Sequence, residues 1–290
     1  MQFDATQNLI QQLATQAKAN GQMVMVVVAD DDAYLEGQVT AVAEDRFSMA
    51  IFNKFNYTDV RALQLDFSDI LVMEFHGLDL KLETELVRQR DHLKHVATKL
   101  YQNDGQLAGV FQNALANNRL ISVVPKGPED QFFVGRVKAV NDRVVVLSLK
   151  DMAGQFGGYI LLTLPSIQNV ATASDYLQTI SFYEKWDQTH HFSQQPVLNA
   201  DREFDPNDDL IQTIISEAAG FERVVRIKVA DSDEHFLGYP ENVGETDFDL
   251  NLVGPDDGET AQIRYGQIRE IAFGHIFAYL QEAQLKNAGR

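Results

Sequence analysis

The chain has 290 residues, 45% hydrophobic and 23% charged, a composition typical of folded globular proteins. Its net charge of −18 disfavours general binding to nucleic-acid phosphates. No cysteine is present, which excludes disulfides and thiolate metal sites and fits a reducing cytoplasm. The N-terminus lacks a signal-peptide pattern, and the longest apolar run, Met23 to Ala29, is too short to cross a membrane. We therefore expect a soluble cytoplasmic protein without a membrane partner.

The first 70 residues predict one helix followed by several strands. Apolar residues recur at helical spacing between Asp4, a predicted N-cap, and Asn20-Gly21, a predicted C-cap. The apolar run Met23–Ala29 predicts the first strand. Further strand-like segments lie around Gly37, at Phe47–Phe52 and at Leu65–Ile70.

Residues 83–101 follow with a helical pattern, since Leu86, Leu93, Ala97 and Leu100 would share one side. His92 and His95 lie three residues apart in this segment and could hold a metal ion. A solvated surface is the favoured interpretation of two histidines on a charged helix. We therefore predict no metal site.

The same order of elements recurs twice, with Gly135 and Gly238 in place of Gly37. From each glycine to a later isoleucine the spacing is 33, 32 and 30 residues, ending at Ile70, Ile167 and Ile268. Asp104 and Asp205-Pro206 are predicted to start the second and third leading helices, which end at Asn117-Asn118 and Gly220. The sequence thus predicts three copies of one unit.

The repeat sets the predicted domain boundaries. The first copy spans residues 1–103, the second 104–200 and the third 201–290. Asp175–Trp186 and His275–Gln284 are predicted helices that follow the strands of the second and third copies. The polar segment 187–204 lacks periodicity and is the predicted linker.

Two motifs in the third copy carry a family resemblance. After Gly238 the chain reads Asp247-Phe248-Asp249-Leu250-Asn251-Leu252, and later Ile263-Arg264-Tyr265-Gly266-Gln267-Ile268. These resemble the Asp-x-x-apolar-Asn and Ile-Arg-Gly motifs of the Sm-like (LSm) small-barrel family, with Tyr265 interposed. The resemblance implies a mainly β fold with helices (α+β). It would consist of three tandem Sm-like or SH3-like five-stranded barrels, each preceded by a helix.

The same resemblance implies that Asn251 and Arg264 would contact RNA bases. The other copies depart from the pattern at these positions. Met49 and Val146 are aligned with the asparagine, and Gln64 or Leu65 and Leu161 or Leu162 with the arginine.

The second copy is the least acidic part of the chain, with seven basic and seven acidic side chains in residues 105–200. Arg136 and Lys138 alternate with Val137, so both would lie on one face of a strand. They could meet an anionic ligand such as RNA. The alternative interpretation is the solvent-facing half of an amphipathic strand.

Three functions stay open at this point. The first is a non-enzymatic scaffold or assembly protein, in which barrel edge strands pair. Because Sm-like relatives form rings of six or seven barrels, the resemblance implies a homodimer that forms a pseudo-hexamer. The second is RNA binding through the third copy or the neutral second copy, although the net charge opposes it. The third is a small-ligand binder or enzyme with a site between barrels. No phosphate loop, dinucleotide fingerprint or nucleophile elbow is present, so we predict no catalytic residue and no cofactor.

Overall fold

A computed structural model describes residues 5–29, 34–52, 60–90, 94–127, 131–190, 201–230, 232, 234–254 and 258–287. In these residues the chain forms six α-helices and sixteen β-strands, and all strand pairs are antiparallel. This confirms the predicted α+β class. No helix within these ranges is long and apolar enough to span a membrane.

The helices are α1 (Ala5–Asn20), α2 (Leu78–Arg88), α3 (Leu107–Ala116), α4 (Asp175–His190), α5 (Leu210–Gly220) and α6 (Ile276–Asn287). The strands of the first copy are β1 (Met23–Val28), β2 (Tyr34–Val42), β3 (Arg46–Phe52), β4 (Val60–Asp66) and β5 (Ile70–Glu74). A short connecting strand, β6 (Lys99–Gln102), precedes the second copy. The second copy has β7 (Leu120–Pro125), β8 (Phe133–Val140), β9 (Val144–Lys150), β10 (Phe156–Thr163) and β11 (Ile167–Ala173). The third has β12 (Val225–Val229), β13 (His235–Glu241), β14 (Asp247–Leu252), β15 (Thr260–Arg264) and β16 (Ile268–Phe273).

These elements group into two compact units. The N-terminal unit comprises Met1–Ala97 together with Gln178–Thr189, and the C-terminal unit comprises Thr98–Leu177 and His190–Arg290. The second and third copies thus belong mainly to one unit. The domain boundaries after residues 103 and 200 stay a prediction.

The sheet of the N-terminal unit has the strand order β4-β3-β2-β1-β5. Alternate residues of β1 to β3 point inwards and pack with α1 in one core. Its buried members include Ala14, Val24, Phe47, Phe67 and Ile70. A leading helix and one curved sheet therefore share one set of apolar contacts.

The sheet of the C-terminal unit has eleven strands, in the order β15-β14-β13-β12-β16-β10-β9-β8-β7-β11-β6. The third copy and the second copy each repeat the order found in the N-terminal unit, and β6 is added at one end. In the described part of the chain no ladder joins the first strand of either sheet to its last. The sheets are therefore open. In the larger sheet, the outer edge of β10 pairs with β16 and the outer edge of β11 pairs with β6. These two strands of the second copy therefore do not pair with each other to close a barrel.

The three predicted glycines occupy the same position in each copy. Gly37, Gly135 and Gly238 pair across the second and third strands with Ile51, Leu149 and Leu252. A Cβ at each glycine would lie 2.4, 2.5 or 2.2 Å from a backbone carbonyl oxygen of the neighbouring strand. Close backbone approach, and not an active site, explains why these positions are glycine.

The leading helices end in one shared hydrogen-bond pattern. Each has a left-handed residue, Gly21, Asn118 or Glu222, with φ of 59°, 47° and 50°. The next backbone N–H donates to the carbonyl five residues earlier, at Ala17, Ala114 and Ala218. Gly21 and Asn118 were predicted for this role. In the third copy Gly220 ends the helix, but Glu222 takes the left-handed conformation.

Two predicted helix starts are wrong. Asp205 forms a turn with Asn207, and the true N-cap of α5 is Asp209, whose carboxylate accepts from the Gln212 N–H at 3.3 Å. Asp104 accepts from the N–H of Gln106, which is itself the N-cap residue of α3. Asp4 lies outside the described residues.

The predicted helix over 83–101 is confirmed at residues 83–88, which lie in α2, and is wrong at residues 99–101. Helix α2 ends at Arg88, and Lys99–Gln102 forms β6. The reason is tertiary, because β6 satisfies the edge of β11, with Tyr101 opposite Val170. The predicted helix at Asp175 is confirmed and reaches His190, and that at His275 is confirmed as α6. Of the predicted linker, residues 191–200 lie outside the described residues.

Candidate functional site

The second and third copies meet through their strands β10 and β16. The ladder places Tyr159 opposite Phe273 and Leu161 opposite Ile271. It joins the fourth strand of one copy to the fifth strand of the next. Tyr159 and Leu161 are buried in the same cluster as the core of the third copy. We call this contact the seam.

The seam depends on apolar side chains that the other copies lack. On the outer face of the second copy, Val146 lies opposite Leu161, and both are fully buried. The same register in the third copy pairs Asp249 with Gln262. In the first copy it pairs Ser48 with Gln64. Only the second copy carries an apolar outer face at these positions, so only it can bury that face against another copy.

The remaining edges of the C-terminal sheet differ. Strand β6 covers the outer edge of β11, with a β-bulge between Ala171 and Ala173. Strand β15 pairs only with β14 among the described strands, so its other edge is open. At one end of this pair the Tyr265 N–H donates to the Thr246 carbonyl, and at the other end the Leu252 N–H donates to the Glu259 carbonyl. By the alternation of antiparallel ladders, the N–H and C=O groups of Gln262 point away from β14.

A basic groove of about 550 Å³ lies along the seam. It is lined by the 3-10 turns Leu164–Ser166 and Tyr265–Gln267, which enter the fifth strands of the two copies. Three cationic side chains, Lys126, Arg143 and Arg269, also line it. Arg143 is paired with Asp209 at 3.1 Å. Asp142 is the one carboxylate among the lining residues, so an anion would meet Lys126 and Arg269 with Asp142 nearby.

A second cavity of about 440 Å³ lies on the seam beside α5 and α6. The Arg202 guanidinium covers the rings of Phe204 and Phe273, at 4.9 and 5.2 Å from their centroids, and pairs with Glu217. The backbone N–H of Arg202 donates to the Tyr159 hydroxyl at 3.1 Å. Burial raises the pKa of Tyr159 and lowers that of Arg202. Arg202, which lies in the segment before α5, thus places a cationic side chain in part of the cavity.

A buried polar cluster lies on β12 and β16. Arg226 pairs with Glu270 at 3.0 Å, and the Glu270 side chain is 4% exposed. Burial, together with the nearby Arg226 charge, lowers the pKa of His275 to about 4, so its ring is neutral near pH 7. Its Nδ1 accepts from the Ala278 N–H at 3.2 Å, at the start of α6. His275 therefore caps a helix.

The structure does not bring the two predicted base contacts together. Asn251 lies opposite Thr260, while Arg264 lies opposite Asp247, at the other end of the same ladder. Four residues of strand separate them, which is about 13 Å. The Asn251 side chain accepts from the Thr260 hydroxyl at 2.9 Å. RNA binding by these residues stays a prediction.

The register also corrects the alignment of the other copies. Residues at the position of Asn251 are Ala50 and Ser148, and not Met49 and Val146. Those at the position of Arg264 are Asp66 and Thr163. Gln64, Leu65, Leu161 and Leu162 are therefore not its equivalents. A one-residue error in aligning a strand places a side chain on the opposite face.

Arg136 has a structural contact. Its guanidinium donates to the carbonyl of Asn118, the left-handed residue after α3. In the first copy Gln38 makes the same contact, donating to the Gly21 carbonyl at 2.8 Å. Lys138 is the extra residue of a β-bulge between Val137 and Ala139. Arg136 and Lys138 are absent from the basic groove, whose cations come from loops of the second copy, Lys126 and Arg143, and from β16 of the third copy, Arg269.

Within the described ranges, no group of three or more His, Asp or Glu side chains could hold a metal ion. His92, one of the two histidines considered as metal ligands, lies outside those ranges. A scan of the sequence against models of protein families finds no match. A search of curated proteins also finds no relative. Any proposal therefore depends on the geometry of the seam and its edges.

Proposed function

We propose that the chain is a non-enzymatic assembly protein built from Sm-like units. The observation that carries this proposal is the seam, where a fourth strand pairs with the fifth strand of the next copy. Such edge-to-edge pairing is how small open sheets satisfy unpaired backbone groups. The repeated helix, glycine strand and 3-10 turn in each copy support a common small-barrel origin.

The structure favours a short array over the ring of six expected from the resemblance. A ring would require β6 to leave the edge of β11. It would also bury Asp249 of the third copy or Ser48 of the first copy, which occupy the position that Val146 has in the seam. Removing charged or polar groups from water without partners is unfavourable. The open edge of β15 is then the position at which a partner would add an extended strand.

Two substitutions at one position test this role. Gln262→Pro removes an outward backbone N–H and leaves the bonds between β14 and β15 in place. Gln262→Ala removes the side chain but keeps the N–H. We expect a partner that co-purifies with the tagged full-length protein from its native cell to be retained by the alanine variant. The proline variant should lose at least about 90% of it.

Circular dichroism would first verify that both variants fold. Equal recovery of the partner with both variants would contradict strand addition at β15. Recovery of no partner under native conditions would contradict the assembly role as a whole.

RNA binding is the second candidate, and the basic groove is the observation that favours it. Lys126 and Arg269 line the groove on either side of the seam. The expected result is retention of a single-stranded RNA oligonucleotide at low salt by the wild-type protein. Lys126→Glu with Arg269→Glu should reduce the affinity at least about tenfold, with a shallower dependence on salt.

The matched control is Arg264→Glu with Asn251→Ala, which changes the predicted contacts at the far ladder. Fluorescence anisotropy measures both double variants. A larger loss in this control would move the RNA site to the third copy. No binding by wild type in about 50 mM salt would exclude RNA binding altogether.

A further inference from the structure

The cavity beside α5 and α6 already holds one cation of the protein against an aromatic ring. The Arg202 guanidinium lies 5.2 Å from the centre of the Phe273 ring and pairs with the Glu217 carboxylate. All three residues line the cavity. The negative face of the ring attracts the guanidinium, and the carboxylate adds a charge-assisted hydrogen bond. A guanidinium therefore fits this wall of the cavity.

A second wall of the same cavity repeats this arrangement with other residues. The Arg223 guanidinium lies 5.5 Å from the centre of the Tyr279 ring and pairs with Glu282 at 2.7 Å. These three residues also line the cavity. One cavity thus holds a guanidinium twice, each time with one aromatic ring and one carboxylate.

A third aromatic ring and a third carboxylate line the cavity without a cation. They belong to Phe221, directly after α5, and to Glu203, in the segment before α5. In the described part of the chain, no Lys, Arg or His nitrogen lies within 4.0 Å of the Glu203 carboxylate, and no cation covers the Phe221 ring. The Phe221 side chain is 72% exposed. These two residues offer the chemistry of the other two walls to a group from outside the chain.

The fold does not require an aromatic residue at position 221. Phe221 directly precedes the left-handed residue Glu222, and the equivalent residues of the other copies are Asn20 and Asn117. Both asparagines are exposed. An apolar ring exposed at a position where a polar residue satisfies the fold indicates an interaction site.

We propose that this cavity binds the guanidinium of an arginine side chain in a peptide, with Phe221 as its ring and Glu203 as its carboxylate. The cavity volume of about 440 Å³ lies within the range of about 300–1,000 Å³ that is typical of ligand sites. Residues 201–290 contain 19 acidic and 8 basic side chains, which favours the approach of a cation.

The charges of the cavity favour a peptide over free arginine. Three carboxylates line it, those of Glu203, Glu217 and Glu282, against the two guanidiniums of Arg202 and Arg223. One negative charge is left uncompensated, and it would repel the α-carboxylate of free arginine. An arginine within a peptide carries no such group. Because no residue of β14 or β15 lines the cavity, this site stands or fails separately from the proposed strand addition.

A ligand-detected NMR titration of the full-length protein with N-acetyl-arginine amide tests the site. We expect saturable binding with a dissociation constant of about 1 mM, the scale set by the size of this ligand. N-acetyl-citrulline amide has nearly the same shape without the charge and should bind at least about tenfold more weakly. Free arginine should bind at least about threefold more weakly than the capped ligand.

Two variants and two matched controls locate the bound guanidinium. Phe221→Asn introduces the residue of the other two copies, so the fold should be retained, and it should raise the dissociation constant at least about fivefold. Glu203→Gln removes only a charge and should raise it at least about threefold. Phe277→Asn changes a 75% exposed ring outside the cavity, and Glu222→Gln removes a neighbouring charge that does not line it. Both controls should bind like wild type.

The outcomes separate this site from the edge of β15. Gln262→Pro should bind the arginine ligand like wild type even if it loses a protein partner. No saturable binding by wild type up to about 20 mM ligand would overturn the proposal, as would equal affinity for the citrulline ligand or equal losses in the control variants. Free arginine that binds as tightly as the capped ligand would overturn the peptide as its source.

Discussion

Gly135→Ala is expected to lower the free energy of unfolding of the C-terminal unit by about 3 kcal/mol. A Cβ at this position would lie 2.5 Å from the Ser148 carbonyl oxygen and 3.3 Å from the Leu149 Cα. Both atoms belong to the backbone of β9, which cannot move away without breaking ladders on its two sides. The cost is therefore a distortion of the sheet centre, larger than a side-chain adjustment.

Gly109→Ala is the matched control in the same copy. Gly109 lies inside α3, and a Cβ there would meet nothing within 4 Å. Alanine in a helix interior is favoured over glycine by about 0.5–1 kcal/mol, so this variant should be slightly more stable than wild type. Urea denaturation followed by circular dichroism measures both. Similar effects of the two substitutions would mean that close strand approach does not explain Gly135.

The sequence predicted the features that depend on local geometry. Three glycines at matched spacing follow from strands that approach too closely for a Cβ, and Gly21 and Asn118 follow from the left-handed ends of helices. Such constraints act within one copy and at fixed positions. They therefore leave a repeated pattern that a single sequence reveals.

The features that depend on contacts between copies could not be predicted in this way. Residues 99–101 end a segment with a helical pattern, yet they lie in β6 because the β11 edge needs a partner. The basic groove combines Lys126 and Arg143 of one copy with Arg269 of the next. Nothing in the spacing along the chain indicates that these three side chains meet.

One sequence signal for the seam did exist. Val146 and Leu161 are apolar where the equivalent positions of the third copy are Asp249 and Gln262. A correct register was needed to see it, because shifting a strand by one residue exchanges its faces. The incorrect alignment of Asn251 with Val146 concealed this difference.

The largest effect at the seam is expected from Leu161→Gln, which introduces the residue of the equivalent position in the third copy. Leu161 is fully buried in the core that both copies share. The substitution loses apolar burial and places an amide among apolar groups without partners. We expect the free energy of unfolding to fall by about 4 kcal/mol. Urea titrations followed by circular dichroism give this value.

The reverse exchange, Gln262→Leu, tests whether the loss of stability depends on the buried position in the seam or on the type of residue exchanged. Gln262 is exposed at the edge of β15, so leucine there should change the free energy of unfolding by less than about 0.5 kcal/mol. If both exchanges changed the free energy of unfolding by equally small amounts, the contact between β10 and β16 would not be part of a hydrophobic core. Unequal effects at equivalent positions would mean that the second copy is built to be covered and the third to face water. With Asp249 and Gln262 on its outer face, the third copy could not bury that face against another copy without a large loss of hydration.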